Sequence, residues 1–117
     1  MRLRVFEFLS RSNQLISVRR FFLIDFSIGE DNLDHEFTLN KIQLRKRDMI
    51  YLFTDGYADQ FGGERGKKFL YNRFRQHLLS VHKKGMNEQR AYLESTMHEW
   101  QGSFEQVDDI LVIGVRI

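Results

Sequence analysis

Hydrophobic and polar positions change rhythm near the middle of the chain. In the first half, apolar residues come in short runs of strand length. Val5-Phe6-Glu7-Phe8-Leu9 is rich in β-formers and stops at the polar cluster Ser10-Arg11-Ser12-Asn13. Leu15-Ile16-Ser17-Val18 follows, so the two runs read as a hairpin. Residues 21–26 are apolar except for Asp25, and Ser27-Ile28-Gly29-Glu30-Asp31-Asn32 reads as a loop. Residues 37–44 alternate loosely before a turn at Lys46-Arg47-Asp48. Met49-Ile50-Tyr51-Leu52-Phe53 is an unbroken apolar run of strand length, as expected of a strand buried on both faces.

The second half switches to helical spacing. Leu70, Phe74, Leu78 and Val81 fall on one helix face. Lys83, Lys84 and Gly85 make a suitable end for that helix, with cations near its carbonyls and glycine in a left-handed cap. Asn87 is expected to cap a second helix whose apolar side carries Met86, Leu93, Met97 and Trp100, and Gly102 stops it. The closing run, residues 110–117, is almost wholly β-branched and reads as the central strand of a sheet. Strands, two helices and a last strand give an α+β fold. The apolar stripes are read as core. With 117 residues and no linker, repeat or low-complexity tract, residues 1–117 are expected to form a single domain.

Composition removes several functions. There is no cysteine, which excludes disulfides, thiolate catalysis and cysteine-based zinc sites. No stretch approaches the length of a membrane-spanning helix, and the opening MRLRVFEFLSR lacks the cleavage site of an export signal. A cytoplasmic location without membrane contact is therefore expected. The net charge of +2 gives no case for nucleic acid. The charge is uneven: Arg2, Arg4, Arg11, Arg19 and Arg20 oppose Glu7, and Asp25, Glu30, Asp31, Asp34 and Glu36 follow. His35, His77, His82 and His98 are scattered without zinc spacing.

Two carboxylate sites carry the remaining chemistry. Thr54-Asp55-Gly56-Tyr57-Ala58-Asp59 directly follows the apolar strand, and Asp108-Asp109 directly precedes the last one. A carboxylate at a strand end is rigidly mounted yet faces solvent, which suits Mg²⁺ or Mn²⁺. Each site taken alone also reads as an ordinary polar turn. Gly62-Gly63-Glu64-Arg65-Gly66-Lys67-Lys68 lacks the spacing of a nucleotide-binding loop. It reads first as a solvated loop and second as a flap that holds an anionic phosphopeptide through Arg65, Lys67 and Lys68.

The stretch from Asp48 to Gly63, with Thr54-Asp55-Gly56 at its centre, closely resembles the "GD-hhhh-TDG" segment of SpoIIE-like serine phosphatases. These are the bacterial branch of the metal-dependent, type 2C-like protein phosphatases. Gln106-Val107-Asp108-Asp109-Ile110-Leu111-Val112-Ile113 resembles the family's closing Asp-Asp strand. Asn13-Gln14-Leu15-Ile16 and Ser27-Ile28-Gly29 resemble the preceding hairpin and Pro-Ile-Gly loop. The resemblance implies part of a phosphatase 2C-like β-sandwich with a helical pair packed on the sheet. It also implies two Mn²⁺ or Mg²⁺ ions that activate water to hydrolyse phosphoserine or phosphothreonine on a regulatory protein in bacterial signalling. By position, Asp55 and Asp108 match metal-binding aspartates, and Asp59 matches a position linked to a further, weaker metal.

The chain also departs from the family. Its Gly-Asp-x-x-Asp and Asp-x-x-Gly-His-Gly type motifs are absent, so the resemblance is to the C-terminal part of the catalytic domain. Fewer carboxylates imply weak metal affinity. Arg47 stands where glycine is usual, which suggests a different turn, and Ser27 stands where proline is usual. Missing partner strands imply an open sheet that a homodimer would cover. Two readings follow: the C-terminal part of a phosphatase that is inactive alone, or a truncated module for protein interaction or assembly.

Overall fold

The computed structural model describes residues 2–8, 24–27, 41 and 43–117, the first two stretches as backbone. Four antiparallel strands form one sheet: β1 (Arg2–Phe8), β2 (Ile24–Ser27), β3 (Met49–Thr54) and β6 (Val112–Arg116), in the order β2-β1-β3-β6. Between β3 and β6 the chain makes a one-turn helix α1 (Gly56–Asp59), a small hairpin of β4 (Phe61–Gly62) and β5 (Lys67–Lys68), and two helices, α2 (Tyr71–Val81) and α3 (Met86–Gln101). The fold is α+β, as the element order predicts. β1 pairs with β2 and with β3. Residues 15–18, expected as its hairpin partner, lie outside the described residues, as do the Ser27-Ile28-Gly29 loop beyond Ser27 and most of residues 37–44.

The core lies between the sheet and the helices. Alternate residues of β3, Met49, Tyr51 and Phe53, are each only 1% exposed and pack with Tyr57, Phe69, Phe74, Leu78, Leu93 and Met97. Phe74 sits edge-on to Phe53 and stacks on Tyr57, with centroids 4.9 and 4.3 Å apart. Each buried phenol reaches α3: the Tyr51 hydroxyl donates to Gln89 Oε1 at 2.5 Å and the Tyr57 hydroxyl to the Leu93 carbonyl at 2.8 Å. Burial pushes both phenols above their ordinary pKa, which keeps them protonated as donors. Gln89, buried and polar, in turn donates to the carbonyls of His82 and Lys84. No amphipathic pattern singles out such a residue, because it serves a hydrogen-bond network rather than the apolar stripe.

The other face of β3 is only half buried. Ile50 and Leu52 pair with Val115 and Ile113 of β6, and Ile113 and Val115 are exposed. The expectation of burial on both faces holds for one face among the described residues. Among the described residues the last strand lies at the edge of the sheet and not in its centre, and it is shorter than residues 110–117. Its composition still suits a strand with partners on both sides.

Three helix boundaries differ from the sequence reading. Leu70 is exposed and has φ 73°, so it precedes α2 instead of joining its buried face. Gly85 has φ −59° and is the N-cap of α3, not a left-handed C-cap. Its N–H donates to Glu88 Oε2 at 3.0 Å, and Asn87 lies inside the first turn. The end of α2 is closed instead by Arg116, whose guanidinium donates to the carbonyls of His82 and Lys84. Gly102 does stop α3, with φ 54°.

The turn before β3 keeps the conformation that glycine favours. Arg47 has φ 77°, and its N–H donates to the Ile117 carbonyl at 2.8 Å. The buried Asp48 carboxylate accepts from the Arg45 N–H at 2.6 Å. Arginine at 47 therefore does not produce a different turn; it occupies the left-handed one under strain. That conformation costs a side-chain-bearing residue about 1–2 kcal/mol, against roughly 0.5–1 kcal/mol of extra unfolded-state entropy for glycine. Arg47→Gly is expected to stabilise the protein by about 0.5–1 kcal/mol, read as a higher urea midpoint with an unchanged slope.

Candidate functional site

The last residue of β3 joins the two carboxylate segments. The side chain of Thr54 is buried, and its hydroxyl donates to the Asp109 carbonyl at 2.6 Å. The same oxygen accepts from the Leu111 N–H at 3.0 Å, and the Thr54 N–H donates to the Leu111 carbonyl at 3.1 Å. One hydroxyl thus continues the β3–β6 ladder past the point where regular pairing stops. It sets Asp55 beside Asp108-Asp109 although the two segments lie far apart in sequence.

Gly56 makes the approach feasible. A Cβ there would collide with the Asp109 carbonyl and press on the Ile110 side chain. The glycine is required for close packing of two chain segments, not for a left-handed turn. Sequence reasoning noted Thr54 and Gly56 only as part of a turn or motif. Neither role has a periodic signature, since each depends on a neighbour more than fifty residues away.

Asp55 begins α1 as its N-cap residue, and its carbonyl accepts from the Asp59 N–H. Its carboxylate is the unusual group. Oδ1 is buried and has no hydrogen-bond partner among the described residues. A buried acceptor left without a partner costs about 1–3 kcal/mol, more when charged. Asp108 stands at the mouth of β6 and is half buried, with Oδ1 accepting from the Asp109 N–H at 2.7 Å. Asp59, one turn after Asp55, is committed elsewhere. Its Oδ1 pairs with Lys68 Nζ at 3.1 Å, and both side chains are nearly half exposed.

The structure therefore brings the Asp55 and Asp108 segments together at one end of the sheet, and turns the Asp59 carboxylate towards β5. No group of three or more His, Asp or Glu side chains among the described residues is disposed to hold a metal ion. The fit of a divalent cation rests on the orphaned Asp55 oxygen. Magnesium and manganese take carboxylate oxygens and keep several waters, so that oxygen and the adjacent Asp108 suit part of a ligand set. His77 is not a metal ligand candidate here: its Nδ1 lies 2.6 Å from the Tyr92 hydroxyl. Burial, with a smaller contribution from Arg73, lowers its pKa.

A groove of about 690 Å³ opens between α3 and β6, lined among others by Tyr51, Met86, Gln89, Leu93, Ile110 and Val112. It lies against β6, which has no second strand partner among the described residues. No helix among the described residues is long and apolar enough to cross a membrane.

Comparison with known proteins agrees with this geometry. Residues 25–117 match the family model described as Stage II sporulation protein E (SpoIIE). Among solved structures, the SiaA-PP2C domain of Pseudomonas aeruginosa is similar, with a TM-score of 0.67 and 24% sequence identity. The match covers 98% of this chain and 43% of that one, so the chain spans less than half of that structure. No curated protein matches the sequence.

Replacing the joint tests its importance. Thr54→Val keeps the shape and removes the hydroxyl, leaving the Leu111 N–H and the Asp109 carbonyl unpaired. A loss of about 1–3 kcal/mol is expected, whereas Thr54→Ser should lose only about 1 kcal/mol for its missing methyl group. Urea unfolding of the two variants side by side provides the measurement.

Proposed function

The chain belongs to the SpoIIE family, and from that premise we propose that it is the metal-holding C-terminal part of a phosphatase domain that hydrolyses phosphoserine or phosphothreonine on a regulatory protein in bacterial signalling. The observation that carries this reading is the buried, unpartnered Asp55 oxygen beside the Asp108 segment. In this reading Asp55 and Asp108 hold Mn²⁺ or Mg²⁺. Bound cations would supply Lewis acidity towards a phosphoryl group. The chain's own contribution is placement. Thr54 and Gly56 fix where the two carboxylates stand, and the rigid strand ends hold them against the charge repulsion that a cation relieves. No nucleophilic side chain is required. Asp59 contributes a ligand only by giving up Lys68, so its affinity for a further ion is weaker than that of Asp55.

The test uses heat and metal. Mn²⁺ at ten times its dissociation constant adds about 1.4 kcal/mol, a rise in melting temperature of roughly 4 °C or more for a domain of this size. Asp55→Asn is expected to melt no lower than the wild type without metal, because it removes a buried charge that lacks a partner. The variant should also lose the Mn²⁺ response and any Mn²⁺-dependent hydrolysis of p-nitrophenyl phosphate. A wild-type protein whose melting ignores Mn²⁺ would sink the reading.

A second reading, an interaction or assembly module without catalysis, is favoured by a different observation. Leu111, Ile113, Val115 and Ile117, in and beside β6, are all exposed to between 41 and 46%, and β6 has one strand partner among the described residues. On this reading two copies associate through the sheet. Concentration-dependent dimers in sedimentation that dissociate on Ile113→Lys/Val115→Lys would support it, and a wild-type protein that stays monomeric at high concentration would remove it.

A further inference from the structure

The segment from Phe61 to Lys68 is a fixed platform rather than a solvated loop. β4 and β5 pair as Phe61 with Lys68 and Gly62 with Lys67. Gly63 and Gly66, with φ +68° and +55°, turn the chain between them. The base is stapled to α3 on both sides. The Gly63 N–H donates to the Trp100 carbonyl at 2.7 Å, and the indole N–H of Trp100 donates to the Gln60 carbonyl at 3.0 Å. Gln60 is fully buried and its amide donates to the Glu105 carbonyl at 2.8 Å. Side chains can approach no closer: a Cβ at Gly62 would strike the Trp100 backbone. The ring of Trp100 is itself covered by the Arg73 guanidinium, 4.4 Å from its centroid.

This platform carries three cations, Arg65, Lys67 and Lys68, against one acid, Glu64. Lys68 is held by Asp59. Arg65 and Lys67 are exposed and have no ion-pair partner among the described residues. A rigid hairpin that spends its length presenting unpaired cations has an electrostatic function rather than a packing one. Its position follows from the chain. It begins two residues after α1, and α1 is about 6 Å long at 1.5 Å per residue, with Asp55 at its start. The Lys68–Asp59 pair joins β5 to the helix that Asp55 begins.

We propose that the β4–β5 hairpin is a substrate-recognition platform on which Arg65 and Lys67 bind acidic side chains flanking the phosphorylated residue. The inference rests on the phosphatase reading above and adds to it the class of sequence that the protein selects. Arginine offers a planar fork to a carboxylate and lysine a point charge, so the pair reads local negative charge and not a particular residue. Lys68, tied to Asp59, joins the hairpin to α1.

The experiment is fluorescence anisotropy with two labelled phosphoserine peptides, identical except that aspartates flank the phosphoserine in one and alanines in the other. The wild-type chain is expected to bind the aspartate peptide roughly tenfold more tightly at low salt, with the preference shrinking as salt rises. Arg65→Glu/Lys67→Glu should abolish the preference, and Arg65→Ala/Lys67→Ala should reduce it, with both variants melting as the wild type does. Equal binding of the two peptides by the wild type, or a preference that survives in the charge-reversed variant, overturns the proposal. The outcome is separable from that of the phosphatase reading. Absence of an Mn²⁺ response with the peptide preference intact removes catalysis alone, and an Mn²⁺ response without the preference removes this platform alone.

Discussion

Everything at the candidate site depends on the hydroxyl of Thr54. A strand end frays because its last backbone groups lack ladder partners. Here the side chain takes over: one oxygen donates to the Asp109 carbonyl and accepts from the Leu111 N–H. Because Thr54 is buried, breaking either bond would leave its hydroxyl short of a partner where water has little access to it. Two acidic segments that would otherwise separate under mutual repulsion are held by a neutral bond directly behind them. Gly56 completes the arrangement from the other direction by leaving room for the Asp109 carbonyl. Rigidity behind the carboxylates is what turns a polar strand end into a place where a cation can be held.

The two faces of the sheet obey different constraints. On one, the alternate residues Met49, Tyr51 and Phe53 meet a closed layer of aromatic and aliphatic side chains from α1, α2 and α3. On the other, Ile50 and Leu52 line up with Val115 and Ile113. Ile113 and Val115 are exposed there, side by side with the half-buried Ile50 and Leu52. β6 ends the described sheet with Ile113 and Val115 exposed, and its single charge is Arg116 at its last position. Such a sheet has the composition of a middle layer. That accords with a chain spanning 43% of the similar PP2C structure.

How much of this was legible beforehand depended on how local each signal was. The 3.6-residue spacing of Phe74, Leu78 and Val81, and of Leu93 and Met97, located both helices and their buried faces. The run from Met49 to Phe53 located β3. The boundaries failed where a distant group decided them. Gly85 looked like a C-cap because two lysines precede it, but Gln89 and Arg116 satisfy the last carbonyls of α2, so glycine was free to start α3. The edge position of β6 could not be read from its residues, which describe the environment that the strand suits and not its neighbours. At the site, strand context and family resemblance pointed to Asp55 and Asp108. The roles of Thr54 and Gly56 stayed hidden because both arise from tertiary contact.

Charge accounting separates the three aspartates that the sequence put forward together. Asp59 has an internal cation, Lys68, at 3.1 Å, and the pair is exposed enough for water to screen it. Its charge is therefore already balanced. Asp108 is half solvated and leans on its neighbour's N–H. Asp55 alone carries a buried oxygen that no described group satisfies. A protein that tolerates such an oxygen gives up stability at one atom. Asp108, on the segment that Thr54 holds beside Asp55, leaves the two aspartates with different surroundings at the same end of the sheet. The lysine that serves Asp59 belongs to β5, so this ion pair also ties the hairpin to α1.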